Sequence, residues 1–160
     1  MRQVDPSAAG NRRVRTMWLA WLIAGTLDLS AAAIQMLIND RDPLMMLKFI
    51  ASGVFGPAAL QGGNGYAALG VLFHYVIAGL WTWLFFFLYP QLRFLQKNVW
   101  ATALLYGLFV WFVMNRIVLP LSNTPAIPFT IRGALISAAV LIVAIGMPLS
   151  FMARRYVPAK

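Results

Sequence analysis

The chain has no cysteine and no glutamate among its 160 residues. Without cysteine there is no disulfide, thiolate nucleophile, zinc–thiolate centre or iron–sulfur cluster, and no sign of the redox compartment. Acidic groups are nearly absent as well, being limited to Asp5, Asp28, Asp40 and Asp42, and His74 is the single histidine. Two paired catalytic carboxylates, an HExxH metal helix and a bis-histidine haem site are therefore excluded. "GGNG" is a turn rather than a dinucleotide fingerprint, because no strand–helix–strand pattern surrounds it. No catalytic residue, metal or cofactor is assigned, and the expected chemistry is not that of an enzyme.

Charge of either sign is scarce. Charged residues make up 11% of the chain against 61% hydrophobic, well below the roughly 25% charged of a soluble domain. Mean hydropathy is +0.75. These values place the chain among membrane proteins. The net charge of +9 does not imply nucleic acid, because no basic stretch is long enough to form a footprint away from the membrane.

What is abundant is apolar sequence in long runs. A helix needs about 20 such residues to cross the hydrocarbon core, and four segments qualify: about 17–39, 66–89, 99–121 and 133–153. Backbone in lipid must satisfy its own hydrogen bonds, so these are helices. The fold class is all-α: one domain over 1–160, a transmembrane bundle of four helices. Basic residues orient it. Arg2, Arg12, Arg13, Arg15, Arg93, Lys97, Arg154, Arg155 and Lys160 fall on one side, and Arg41, Lys48, Arg116 and Arg132 on the other. Positive charge favours the cytoplasm, so both termini are expected there. Trp18, Trp83, Tyr89, Trp100 and Tyr156 then lie near the cytoplasmic interface. One competing reading takes "NRRVRTMWLAWLIAGTL" followed by "SAA" as a cleaved signal peptide, although the run stays apolar through Ile38 as an uncleaved span would.

The linkers carry their own signals. Asp42-Pro43 is a helix start, an N-cap acceptor followed by proline at the first helical position. The helix it opens, about 43–53, is too short to span. It is expected on or dipping into the outer leaflet, with 43–61 either a covering loop or a re-entrant segment. "PQLRFLQKN" forces the second and third spans to be antiparallel neighbours. "SNTPAIPFTIR" carries two prolines and is expected to be extended. Pro148 should kink the fourth span between Ala144 and Pro148.

Asp28 interrupts the first span. An ionised carboxylate there costs roughly 2.5–3.5 kcal/mol on insertion scales, so it is expected to face other helices. Its neighbours at helical spacing are Trp21, Ala24, Gly25, Ala31, Ala32 and Gln35, and small residues permit close helix approach. His74, Asn115 and Arg116 lie at comparable depth on two other spans. Asp28, His74, Asn115 and Arg116 thus form a candidate intramembrane polar site. His74 is the first choice of partner for Asp28. Arg116 is the second, because its long stem can equally snorkel outward. Each also has a purely structural reading: an interhelical hydrogen bond for Asp28 and His74, an interface anchor for Arg116.

The stretches "GTLDLSAAA", "LKFIASGVFGPAALQGG", "GVLFHYVIA", "LYPQLRFL" and "YGLFVWFVMNRIVLPLS" resemble a family of small uncharacterised bacterial membrane proteins with four spans. The resemblance covers most of the chain and implies a location in the bacterial inner membrane, but no activity. It adds Ser52, Gly53, Gly56 and Pro120 to Asp28, His74 and Asn115 as positions of interest. The expected function is that of an integral inner-membrane protein with a structural or accessory role. The alternative is a small transporter or proton-linked permeation protein using Asp28 and His74. Expected partners are membrane lipid and, as an open question, a second copy of the chain; no small-molecule ligand can be named.

Overall fold

The computed structural model describes residues 6–126 and 128–156, with the side chains of 6–9 and 156 outside the description. Arg2, Asp5 and Lys160, and the side chain of Tyr156, therefore lie outside the described residues. The described residues contain helices and no strand. Helix α1 spans Pro6–Ile38, α2 Pro43–Phe55, α3 Ala58–Gln61, α4 Asn64–Leu88 and α5 Arg93–Lys97. The last two long helices are α6, Val99–Leu121, and α7, Ile131–Arg155. Four helices are long and apolar enough to cross a membrane: α1 from Gly10, α4, α6 and α7.

The helix starts follow from local chemistry. Asp42 accepts from the Leu44 amide at 2.8 Å, with Pro43 at the first position of α2. Asn98 accepts from the Trp100 and Ala101 amides at the start of α6. Thr130 caps α7 through the Gly133 amide at 3.1 Å. Each side-chain oxygen satisfies amides that have no partner inside the helix.

Helix α1 begins eleven residues before the span expected from hydropathy. At about 1.5 Å per residue its 33 residues reach about 50 Å, well beyond a roughly 30 Å core. Hydropathy marks where the apolar part begins, whereas the hydrogen-bonded turns continue through "AAGNRRVR". The projecting turn is tied down: Arg13 donates to the Phe86 carbonyl at 3.0 Å, near the end of α4. The other exposed carbonyls of that helix end are met by Gln91 on Phe87 and Gln96 on Tyr89.

The densest packing lies at the end of the bundle that carries both described termini. Phe85 and Phe86 of α4, Val110 of α6 and Leu149 of α7 are almost wholly enclosed. The Phe85 and Tyr106 rings meet edge-on at 4.7 Å, and the Tyr106 hydroxyl donates to the Trp81 carbonyl at 2.5 Å. Trp18, Trp83 and Trp100 stand on the outside at this end, each more than half exposed. Tyr89 stands at the same end but is turned inward. It is 3% exposed and packs on Phe85, because the chain turns inward immediately after α4.

Both prolines inside spans are accommodated in the same way. In α6 a π-helical turn covers Met114–Val118, with the Leu119 amide reaching back to the Met114 carbonyl. In α7 the turn is Ile142–Gly146, with the Met147 amide reaching the Ile142 carbonyl. Pro120 and Pro148 each follow two residues after the end of the wide turn. A proline cannot donate to the carbonyl four residues back and its ring crowds that carbonyl. An extra residue in the preceding turn moves that carbonyl aside. The disturbance expected at Pro148 is thus a widened turn beginning at Ile142, and Pro120 has an equivalent one.

The widened turn of α7 is also where it meets α6. A Cβ on Gly107 would lie 2.5 Å from the Ile142 Cα, and one on Gly146 would lie 2.2 Å from the Ala103 carbonyl oxygen. Only glycine lets the two backbones come this close, as in other membrane helix pairs. Trp111 closes the seam by donating to the Ser137 hydroxyl at 2.8 Å.

Candidate functional site

At the opposite end, α2 is wedged against α4 and the loop after α6. It is not a loose surface helix. A Cβ on Gly70 of α4 would fall 2.0 Å from the Leu47 carbonyl oxygen, so α2 lies directly on the α4 backbone. Lys48 donates to the Gly62 carbonyl at 2.7 Å, just beyond the end of α3. The C-terminal carbonyls of α2 are met by Asn123, whose amide donates to Gly53 at 3.1 Å and whose side chain donates to Val54 at 3.2 Å. Ser52 is fully buried and bonds the Phe49 carbonyl in its own helix. Lys48, Ser52 and Asn123 are therefore structural ties.

Asp28 and His74 both lie along the seam between α1 and α4. His74 Nε2 donates to the Gly25 carbonyl at 2.8 Å. Asp28 follows Gly25 by three residues, so it shares that face of α1. Helical side chains lean toward the N-terminus and cover the preceding turn, which puts the Asp28 carboxylate over the level of Gly25. Among the described residues the carboxylate accepts no hydrogen bond within contact distance, and it is only partly buried.

The surroundings of this pair were not legible beforehand. Trp21 Nε1 donates to the Tyr75 carbonyl at 2.6 Å, and Thr26 and the Tyr75 hydroxyl lie 2.9 Å apart. The Tyr75 ring packs at 5.6 Å on His74 and at 6.1 Å on Trp21. Nothing in the periodicity distinguishes Tyr75 from the other aromatics of α4. Its carbonyl acts as an acceptor because Gly25 and Gly79 let the two helices approach.

Asn115 and Arg116 have other partners. Asn115 bonds the Trp111 carbonyl one turn back in α6. Arg116 is exposed and lies 4.9 Å from the centre of the Phe129 ring, a cation–π contact. The π turn rotates this stretch of α6, and the guanidinium takes the outward course open to a long side chain. The four candidate residues thus divide into two that share the α1–α4 seam, Asp28 and His74, and two separate anchors.

Two surface grooves lie elsewhere. One of about 440 Å³ runs between α1 and α7, lined by Leu27, Ala31, Ile34, Val140 and Val143 among others. The other, of about 400 Å³, lies beside Phe55, Tyr66 and Leu69. Neither is lined by Asp28 or His74. No group of three or more metal-ligating side chains occurs among the described residues. Compared with known proteins, the chain matches no family model, no curated protein and no solved structure. The four helices define the class as a multi-pass membrane protein; what it does has to be argued from the seam itself.

Proposed function

We propose that this chain is a multi-pass protein of the bacterial inner membrane, with both termini in the cytoplasm and an accessory or structural role rather than a catalytic one. The observation that carries this reading is how the polar side chains of the spans are used. Trp21, His74, Tyr106 and Trp111 each spend a donor on an acceptor from another helix. These ties fasten α1 to α4, α4 to α6 and α6 to α7, which suits a rigid part better than a moving one. The excess of Lys and Arg at the end bearing the termini supports the orientation. Reporter fusions after Pro43 and Thr124 should behave as periplasmic, and fusions after Lys97 and Lys160 as cytoplasmic. A cytoplasmic signal after Thr124 would refute the arrangement.

A second reading, a small proton-linked permeation protein, is favoured by one observation: His74 is bonded to the carbonyl of Gly25, one turn before Asp28, within the span region. An intramembrane ionisable group is a functional candidate by default. Purified protein in liposomes should then dissipate an imposed pH gradient, and Asp28→Asn should abolish the flux. Liposomes as tight as empty ones would leave the accessory reading alone.

A further inference from the structure

We propose that the groove between α1 and α7 seats one acyl chain of an anionic phospholipid, whose phosphate is held by Arg132 at the groove's mouth. The groove has a volume of about 440 Å³, with Leu27, Ala31 and Ile34 of α1 facing Ala139, Val140 and Val143 of α7. It exists because the two helices diverge. Helix α1 packs closely on α7 from Met147 onward, where Ala20, Ala24, Leu149 and Ala153 are buried in one cluster, and has little contact with Ile131–Leu141. Different neighbours hold the two helices aside. Trp21 and His74 tie α1 and α4, while Trp111 ties the first half of α7 to α6 through Ser137. The result is a crevice closed at its floor and widening toward the end away from the termini.

The chemistry of the crevice selects its occupant. Ser30 is the only lining residue with a polar side chain, so a water there lacks the two to four polar partners it needs. An empty cleft would forfeit the dispersion contacts of its walls. The groove lies within two of the spans, where lipid chains reach it from the side. The second observation is a cation. Arg132 stands in the first turn of α7, seven and eight residues before Ala139 and Val140 and on the same face. At helical rise that is about 11–12 Å from them along the axis. Arg132 is exposed, with no hydrogen-bond or ion-pair partner among the described residues. The 25 residues of α7 reach about 38 Å against a roughly 30 Å core, which brings Arg132 to headgroup level. There a guanidinium meets a phosphate with two parallel N–H donors. An aliphatic trough followed by a cation matches the two parts of an anionic phospholipid in the order in which that molecule presents them. The inference requires the long helices to be spans, but neither their orientation nor the accessory role.

Protein released from nanodiscs of mixed phosphatidylglycerol and phosphatidylcholine should retain one phospholipid in native mass spectrometry, with phosphatidylglycerol preferred. Ala31→Phe, which fills the groove, should lose that bound mass while keeping the circular dichroism of the parent. Arg132→Ala should reduce the preference for phosphatidylglycerol about fivefold, the scale of one basic side chain at an anionic surface. Lipid retained by a folded Ala31→Phe protein, or an undiminished preference in Arg132→Ala, would overturn the proposal. So would a dimer that Ala31→Phe dissociates, since a second copy would then occupy the groove. If Ala31→Phe does not fold, unsubstituted protein in bilayers with a chain-diazirine phosphatidylglycerol provides the test. Photolabel must concentrate on residues 27–34 and 139–144 over Leu72, Val76 and Leu80 of α4, which are as exposed as Ile34 and Val143. Even labelling of the two regions would overturn the proposal equally. Reporter fusions that reverse the orientation would leave these results untouched, so the two readings fail separately.

Discussion

The two ends of the bundle are held together by different means. At the end bearing the termini, large side chains fill the space around the close α6–α7 seam: Phe85, Phe86 and Leu149 are 0% exposed and the Tyr106 ring closes on Phe85, while Gly146 lies against the Ala103 carbonyl. At the end bearing α2, contact is backbone on backbone and hydrogen bond on carbonyl, through Gly70 against Leu47, Asn123 on Gly53 and Val54, and Lys48 on Gly62. The first arrangement tolerates polar substitution poorly and resembles any close-packed core. The second has little volume to lose but depends on the absence of particular atoms. The tie from His74 belongs to the second kind, since it is made to the backbone of Gly25.

Truncating the volume-packed end should do the most damage. Phe85→Ala removes a fully enclosed ring with three aromatic neighbours and should cost about 3–5 kcal/mol, as for other buried aromatics. Phe55→Ala, where the ring is 45% exposed, should cost far less. Reversible unfolding in mixed micelles measures both, and equal losses would erase the contrast.

Adding atoms tests the seat of α2. Gly70→Leu places its Cβ inside the Leu47 carbonyl and should cost about 1–3 kcal/mol or more as α2 is pushed off α4. Proteolytic cleavage between residues 39 and 64 should accelerate at the same time. A variant as stable and as resistant as the parent would mean that α2 is not seated on the α4 backbone.

The smallest expected effect is a gain. The hydroxyls of Thr82 and Ser150 are buried without a hydrogen-bond partner among the described residues. A buried hydroxyl left unpaired carries a penalty of about 1–3 kcal/mol, and its isosteric apolar replacement is neutral or stabilising. Thr82→Val should therefore raise stability by about 1 kcal/mol on that ground. A clear loss would show that the hydroxyl has a partner, such as a buried water, at the volume-packed end.

Much of this architecture was legible in advance, and particular residues show why. The span limits near Leu88, Val99 and Leu121, and the start of α2 at Asp42-Pro43, agree with expectation to within two residues. Of the small residues read as the face of Asp28, Ala24 and Gly25 are buried, and Ala31 and Ala32 only partly. Tyr89, expected near the interface, caps the end of α4, but its enclosure against Phe85 could not be read from its position in sequence. The π turn before Pro120 went unread because proline at that offset can also end or kink a helix. The outward course of Arg116 depends on that turn and on Phe129, thirteen residues away.

What the sequence alone determined is whatever a short segment decides for itself. Lipid offers no hydrogen bonds, so an apolar run of sufficient length has to be a helix wherever it is placed, and an aspartate before a proline caps a helix without help from elsewhere. Membrane class, four spans and the short helix between the first two all follow. What the tertiary structure decided is the rotation of each helix about its axis. That rotation puts His74 on the carbonyl of Gly25, 49 residues away, lets α2 lie on Gly70 and sends Arg116 outward. Rotation is set by which small residues allow two backbones to approach, a property of pairs of helices that no single segment contains.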